Sequence, residues 1–269
     1  MINTIDLHIH TNYSDGTDSL KKVLEIATAN GLQYISITDH ESMEAYKNIN
    51  LMHNYKLNVI PGLELHTYYD NKEIHLLSYG LEYGNPDISE YLKKLRYERT
   101  EIAFETVELI RRQGIPLTWE DVLKKSGDNV AVTKGHIINA LSDFNLEDKS
   151  FYYDFFNPSG SKYLPYKENP FSKAVDIIKS NGGKAVLAHP GLIFDDNLVL
   201  DIIKKFDTGL EVYYYYYGKK RNEWIKKYKT MALDYGTIYT GGSDYHGYIT
   251  ESELGGIYVP EAVIEMLLA

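Results

Sequence analysis

Apolar and polar residues alternate one by one along Ile5-Asp-Leu-His-Ile-His10. That period of two predicts a strand over Ile5–His10, with Ile5, Leu7 and Ile9 on one face and Asp6, His8 and His10 on the other. The period then changes. Leu20, Val23, Leu24 and Ala27 recur at helical spacing, which predicts a helix from about Ser19 to Asn30. Thr17 or Asp18 would cap it and Gly31 would follow its last turn. Tyr34–Thr38 reads as a short buried strand that delivers Asp39-His40. A helix is predicted over Ser42–His53 and a third strand over Val59–His66, which sets Glu64 and His66 against Leu63 and Leu65. Asp70-Asn71 is a turn signal, and Glu73–Leu81 reads as a further strand carrying His75.

From residue 85 to residue 169 helical patterns dominate. Ile88–Gln113 is long and amphipathic and is ended by Gly114, Trp119–Lys125 is short, and another helix opens near Thr133. Residues 157–160 and 163–165 read as loops. After Pro170 strands and helices alternate again. A helix ends in Asn181-Gly-Gly183, and a strand over Lys184–Ala188 delivers His189-Pro190. Next come a helix over Asn197–Phe206, a strand over Leu210–Tyr214 and a helix over Asn222–Tyr235. The strand Thr237–Thr240 opens into Gly241-Gly-Ser-Asp-Tyr-His246, followed by a short strand near Ile257 and a helix from Pro260. The order predicts an α/β chain: a parallel barrel formed by residues 1–84 and 170–269, interrupted by a helical insertion or cap at 85–169. In such a barrel the carboxyl ends of the strands share one face, where sites are built.

Composition narrows the function. The 269 residues are 43% hydrophobic and 25% charged, enough for a sizeable core, and the net charge is −10. With no polybasic run, a long nucleic-acid footprint is not expected; a short charged substrate fits. The absence of cysteine excludes disulfides and thiolate metal sites and suits a reducing cytoplasm. No signal-peptide pattern and no apolar run near 18 residues occurs, so no membrane association is expected. No stable protein partner is expected either.

The candidate chemistry lies in the histidines. On a strand, His8 and His10 point the same way, roughly 6.5–7 Å apart, close enough for two imidazoles to converge on one ion. Seven of the nine histidines fall at predicted strand ends or the loops that follow them: His8, His10, His40, His75, His136, His189 and His246. Asp15, Glu64 and Asp244 accompany them. Nitrogen and oxygen ligands without sulfur suit Zn, Mn or Fe. So many ligands exceed one tetrahedral site and imply two to three divalent ions, with a carboxylate such as Glu64 as a bridge. His66 is read as a hydrogen-bonded neighbour or an alternate ligand, Asp6 as an orienting neighbour and His53 as solvated. The Tyr213–Tyr217 run has no functional account.

Five short motifs in order, His8-Ile-His10, Thr38-Asp-His40, Gly62-Leu-Glu64, Ala188-His-Pro190 and Gly242-Ser-Asp-Tyr-His246, resemble those of the PHP (polymerase and histidinol phosphatase) superfamily. The resemblance implies a distorted (β/α)7 barrel holding a trinuclear site that hydrolyses phosphate esters. Glu73-Ile-His75 and Thr133-Lys-Gly-His136 resemble the branch that removes the 3′-phosphate from 3′,5′-bisphosphonucleotides and in some members degrades short RNA. Carried over, His8, His10, Glu64 and Asp244 would hold one ion, Glu64, His75 and His189 a second, and Asp15, His40 and His246 a third. A bridging water would be the nucleophile, with Asp15, Glu64 and His246 closest to the chemistry. Lys134, His136 and Arg99 would bind phosphate. Lys134 departs from the branch, which usually has arginine there, and so loses the bidentate fork. The competing expectations are a histidinol-phosphate phosphatase, a non-catalytic structural PHP module and an amidohydrolase; the last more usually carries a metal-bridging lysine.

Overall fold

The structure is a computed structural model that describes residues 4–126, 131–144, 146, 148–166 and 169–269. The strands are β1 (Ile5–Ile9), β2 (Tyr34–Ile37), β3 (Asn58–Val59), β4 (Gly62–Tyr69), β5 (Lys72–Tyr79), β6 (Lys184–Leu187), β7 (Gly209–Tyr214) and β8 (Tyr239–Gly242). The helices are α1 (Leu20–Ala29), α2 (Ile49–Met52), α3 (Pro86–Arg112), α4 (Trp119–Ser126), α5 (Lys134–Leu141), α6 (Lys149–Phe156), α7 (Phe171–Ser180), α8 (Asp196–Phe206), α9 (Arg221–Asp234) and α10 (Ala262–Leu268). The chain is α/β, as expected. None of these helices is long and apolar enough to cross a membrane.

The strands form two sheets, β1-β2-β3 and β4-β5-β6-β7-β8. The first is parallel, and so are the β6-β7 and β7-β8 pairs. The expected all-parallel order fails at β5, which runs antiparallel to both β4 and β6. Asp70 and Asn71, both with positive φ (47° and 61°), make the tight turn that reverses the chain. The expected strand Val59–His66 is broken at Pro61, so that β3 and β4 belong to different sheets. Glu64 therefore sits near the start of β4 rather than at a carboxyl end. Among the described residues no continuous ladder closes the strands into one barrel. The sheets meet at isolated bridges, Ile9 with Tyr245 and His40 with Glu64.

Smaller differences have local causes. The predicted helix Ser42–His53 is a 3₁₀ turn over Glu44–Asn48 followed by α2. The last strand lies two residues later than expected, at Tyr239–Gly242, and Ile257 is buried but in no strand. α6 was not expected. Asp148 caps it by accepting from Ser150 N, and its aromatic run buries Phe155.

The described residues form two apolar clusters. The larger fills the space between the sheets and helices α1, α7 and α8, with Ile5, Leu7, Ile9, Ile35 and Ile37 fully buried. The smaller gathers Val107, Ile110, Val122, Ile137, Leu141 and Phe155. α3 joins them. Ile88, Tyr91, Leu92 and Leu95 belong to the first cluster, and Ala103, Val107 and Ile110 to the second.

The Tyr46 hydroxyl ties the sheets together near Glu64. It donates to Ile37 O (2.6 Å) and accepts from Ile37 N (3.1 Å) and Gly62 N (2.8 Å). Gly62 opens β4, so Tyr46 fixes where that strand begins. Tyr46→Phe leaves two buried N–H groups without this acceptor, and urea unfolding should find it about 1–3 kcal/mol less stable. A change under about 0.5 kcal/mol would mean that the seam does not depend on this hydroxyl.

Candidate metal centre

The seam between the sheets collects the candidate ligands. Among the described residues, four groups have ligand atoms within 4.8 Å of one another: His8, His10, Glu64 and Asp244; Glu64, His75 and His189; His10, Asp15, His40 and His246; and His40, His66 and His75. Glu64 is at the centre, and its two oxygens face different groups. Oε2 lies 3.2 Å from His8 Nε2 and 3.1 Å from His10 Nε2. Oε1 lies 2.9 Å from His75 Nδ1 and 3.1 Å from His189 Nε2. Asp244 Oδ1 lies 3.2 Å from both His8 Nε2 and His10 Nε2. Asp15 Oδ1 lies 3.4 Å from His246 Nε2 and 3.9 Å from His40 Nε2.

These residues fit divalent cations. Ligands about 2.0–2.2 Å from a tetrahedral ion stand roughly 3.4 Å apart, close to the spacings here. His10 Nε2, Asp15 Oδ1, His40 Nδ1 and Asp244 Oδ1 are buried without a hydrogen-bond partner. Orphaned polar atoms converging from three loops are costly unless something charged lies between them.

Electrostatics agree. Burial works to lower the His8 pKa, but Glu211, Asp244 and Glu64 outweigh it and hold the ring well above its usual value. His10 is likewise pushed up to about 10: burial opposes this, and Asp244 and Glu64 prevail. Burial works against the charged forms of Glu64, Asp15 and Asp244, yet the surrounding histidines hold all three well below the carboxylate range. Burial, with Arg99 adding to it at His66, drives His40 and His66 down.

The supporting residues come from the neighbouring strands. Glu211, fully buried on β7, lies 2.8 Å from His8 Nδ1 and accepts from His189 N (2.7 Å). It thereby turns His8 Nε2 toward Glu64. Asp39 accepts from Thr11 N, Thr11 Oγ1 and Ser14 Oγ, each at 2.7 Å, and fixes the loop that carries Asp15. Asp6 accepts from Ser243 N (2.9 Å) and Oγ (2.6 Å) and so holds the loop before Asp244. His189 and Asp244 have positive φ (27° and 54°), conformations rare outside glycine and concentrated at functional sites. Sequence reasoning missed Glu211 and gave Asp39 no role. The available signal was an acidic residue inside the apolar run Leu210-Glu-Val212.

The three expected phosphate ligands are not brought together. Arg99 is buried and ion-paired with Glu41 across the seam to β2. Lys134 Nζ donates to Leu164 O (2.9 Å), lies over the Tyr163 ring and stands 4.0 Å from Glu73. Burial lowers Lys134 to about 8. Lys134 and Arg99 share a small closed pocket with His66 and Glu73. His136 faces a different cleft, lined also by Asp15, Lys124 and Lys125. Its Nδ1 accepts from Thr133 N (3.0 Å), and Thr133 Oγ1 donates to Asp15 Oδ2 (3.2 Å), which seats the start of α5 on the Asp15 loop. A Cβ at Gly135 would lie 2.9 Å from Asp15, so only glycine permits this approach. His66 N donates to Glu41 (2.7 Å), and its ring centroid lies 3.9 Å from that of His75. His53 is exposed.

A family model described as PHP domain matches residues 6–243. The chain is 29% identical over 191 residues to a 5′-3′ exoribonuclease Rnm of Salmonella typhimurium, covering 69% of this chain but only 65% of that relative's length. It is 25% identical over 263 residues to a phosphoribosyl 1,2-cyclic phosphate 1,2-diphosphodiesterase of Eggerthella lenta, covering 95% of this chain and 98% of the relative. A 3′,5′-nucleoside bisphosphate phosphatase of Chromobacterium violaceum is 23% identical over 251 residues, covering 90% of this chain and 87% of its own. A crystal structure of a proposed metal-dependent phosphoesterase from Bifidobacterium adolescentis superimposes with a TM-score of 0.84 at 25% identity, covering 98% of this chain and 95% of its own.

Because His8 and His10 are held protonated in the metal-free state, an ion must displace protons from them. Titrating Mn²⁺ into the metal-free protein near pH 7.5 should release protons, read by calorimetry in buffers of different ionisation enthalpy. Affinity should rise with pH toward about 10, where His10 loses its proton anyway. Binding with no proton release would contradict this charge balance.

Proposed function

This chain belongs to the PHP domain family and is a metal-dependent hydrolase acting on phosphate esters, and we propose that its substrate is a nucleotide from which it removes a phosphate, foremost the 3′-phosphate of a 3′,5′-bisphosphonucleotide. The observation that carries the reading is Glu64, whose two oxygens face two separate ligand groups. His8, His10, Glu64 and Asp244 would hold one divalent ion, Glu64, His75 and His189 a second, and Asp15, His40 and His246 a third. Mn, Fe or Zn each suit this donor set. Bound ions of this kind supply Lewis acidity at phosphoryl oxygens and make water a nucleophile near neutral pH.

The chain's own residues do the rest. Glu211 commits His8 Nδ1, so that only Nε2 turns inward. His246 Nδ1 donates to Asp244 O (2.9 Å), which leaves its Nε2 facing Asp15. With both ring nitrogens committed, His246 is assigned as a ligand rather than as the proton donor to the leaving oxygen. Lys134 keeps its charge at neutral pH, and would face a phosphate from the side of His66 and Glu73 on leaving Leu164 O and the Tyr163 ring. Arg99 acts through Glu41 to position that wall, because its charge is already paired. His136, with Lys124 and Lys125, lines the cleft beside Asp15, where a second phosphate or the next phosphate of a short RNA fits.

The finer architecture is part of the same reading. The two bridges between sheets support an interrupted barrel of the (β/α)7 type, and the separate apolar cluster supports residues 85–169 as a cap. That segment includes residues 127–130, 145, 147, 167 and 168, which lie outside the described residues. A reducing cytoplasm suits a chain without cysteine. A second reading, hydrolysis of a sugar cyclic phosphodiester, is favoured by the near full-length match to the Eggerthella lenta relative.

Phosphate release by Mn-loaded protein decides between them. A 3′,5′-bisphosphonucleotide should exceed histidinol phosphate and nucleoside 5′-monophosphate by at least about tenfold in kcat/KM, about 1.4 kcal/mol of discrimination. Faster cleavage of a ribosyl cyclic phosphate would favour the second reading, and faster release from histidinol phosphate would replace both. Glu64→Gln should lower activity by at least about a hundredfold and reduce bound ions, measured by elemental analysis. KM for the bisphosphonucleotide should rise above pH 8 as Lys134 loses its proton, and should stay flat there in Lys134→Arg, whose guanidinium keeps its charge.

A further inference from the structure

A cleft of about 780 Å³ opens beside the candidate metal centre, within the range of small-molecule sites. Both of its walls lead back to one ligand group. On one side is Glu73, which shares a strand face with His75, two residues further along β5. On the other are Leu192, Ile193 and Phe194, on the turn that directly follows His189. None of the ligands lines the cleft itself, but its walls begin two residues from His75 and three from His189, so a substrate whose phosphate is held by Glu64, His75 and His189 would extend toward it.

The lining is aromatic rather than cationic. Tyr153 and Phe194 are 51% and 78% exposed, large rings left in solvent at the mouth. Phe194 also has a φ of +54°, a conformation that bulky residues rarely adopt, and its backbone N–H bonds back to Gly191 O. One lysine, Lys72, does line the cleft, and it is paired with Asp195 at 3.0 Å. Glu73, at the inner end, is held by Tyr166 N and the Tyr163 hydroxyl. An anion gains nothing here. A flat uncharged ring gains stacking area, with Asn71 and Ser159 in the lining to meet its polar edge. The cleft beside Asp15 carries more basic residues, Lys124, Lys125 and His136, although Lys124 and Lys125 are themselves paired with Asp121 and Asp143.

We propose that this cleft, with Phe194 and Tyr153 as its stacking platform, binds the nucleobase of the substrate. The proposal rests on the nucleotide reading above and names the part of the molecule that reads the base. Aromatic stacking is tolerant of base identity, so it selects nucleotides as a class over phosphorylated sugars and amino alcohols.

The test is calorimetric titration of the full-length, Mn-loaded protein with adenosine 5′-monophosphate and with ribose 5-phosphate. Wild type should bind the nucleotide more tightly. Phe194→Ala and Tyr153→Ala should each weaken nucleotide binding about five- to a hundredfold and leave ribose 5-phosphate unchanged. Both side chains are exposed, so unchanged melting temperatures should accompany the loss. Equal affinity for the two probes in wild type, no change in either variant, or equal weakening of both probes overturns the proposal. Turnover separates it from the reading on which it rests. Nucleotide binding that depends on Phe194 without phosphate release retains the cleft and refutes the proposed activity. Release from a bisphosphonucleotide with KM unaltered in both variants retains the activity and refutes the cleft.

Discussion

The Glu64 carboxylate is buried to 1% exposure, and the rest of the structure is arranged around keeping it charged. An isolated carboxylate in such a place would take a proton rather than stay ionised. Here His8, His10, His75 and His189 surround it within about 3.2 Å, and Asp15 and Asp244 lie across those rings. In the metal-free protein imidazolium charge provides the balance. Divalent ions held between these ligands would provide it instead. The site and the stability of the seam therefore depend on the same electrostatic balance.

The layout of the chain follows from that constraint. Side chains converge on Glu64 from several strand ends at the edge where the two sheets meet. β1 and β8 bring His8, His10 and Asp244 to one side of that edge, and the β4-β5 hairpin brings Glu64 and His75 to the other. Buried acids on the next layer keep the rings in place. Glu211 holds His8 and the backbone of His189, Asp39 holds the Asp15 loop, and Asp6 holds the loop before Asp244. The left-handed backbone at His189 and Asp244 is the local cost of aiming those side chains inward. α5 closes the arrangement by resting Gly135 and Thr133 against Asp15, so that the helical segment and the sheets meet at a candidate ligand.

Much of this was legible in the sequence because it is local. The alternation through Ile5–His10 gives β1 and the inward pair of histidines, and Asp70-Asn71 gives the turn between β4 and β5. Two of the ligand groupings implied by the resemblance have the same members as geometric groups, and the third, Asp15, His40 and His246, falls within a group that also holds His10. What was not legible is non-local. Alternation has the same period in parallel and antiparallel strands, so it gives no direction for β5; only the two-residue turn at Asp70-Asn71 carries that, and the pairing of β5 with β6 is non-local. Arg99 reads as a free cation in the sequence, and only the fold brings Glu41 to it from 58 residues away. Lys134 and His136 are two residues apart, yet α5 directs them into different clefts. Glu211 looks like one polar interruption of an apolar strand until His8 arrives from the other end of the chain.

Diffraction from crystals of the Mn-loaded protein, collected at the manganese absorption edge, tests the bridging role of Glu64 most directly. The account predicts anomalous peaks on both sides of Glu64, one between Oε2 and His8, His10 and Asp244, the other between Oε1 and His75 and His189. A single peak touching only one oxygen of Glu64, or none within the seam, would contradict it.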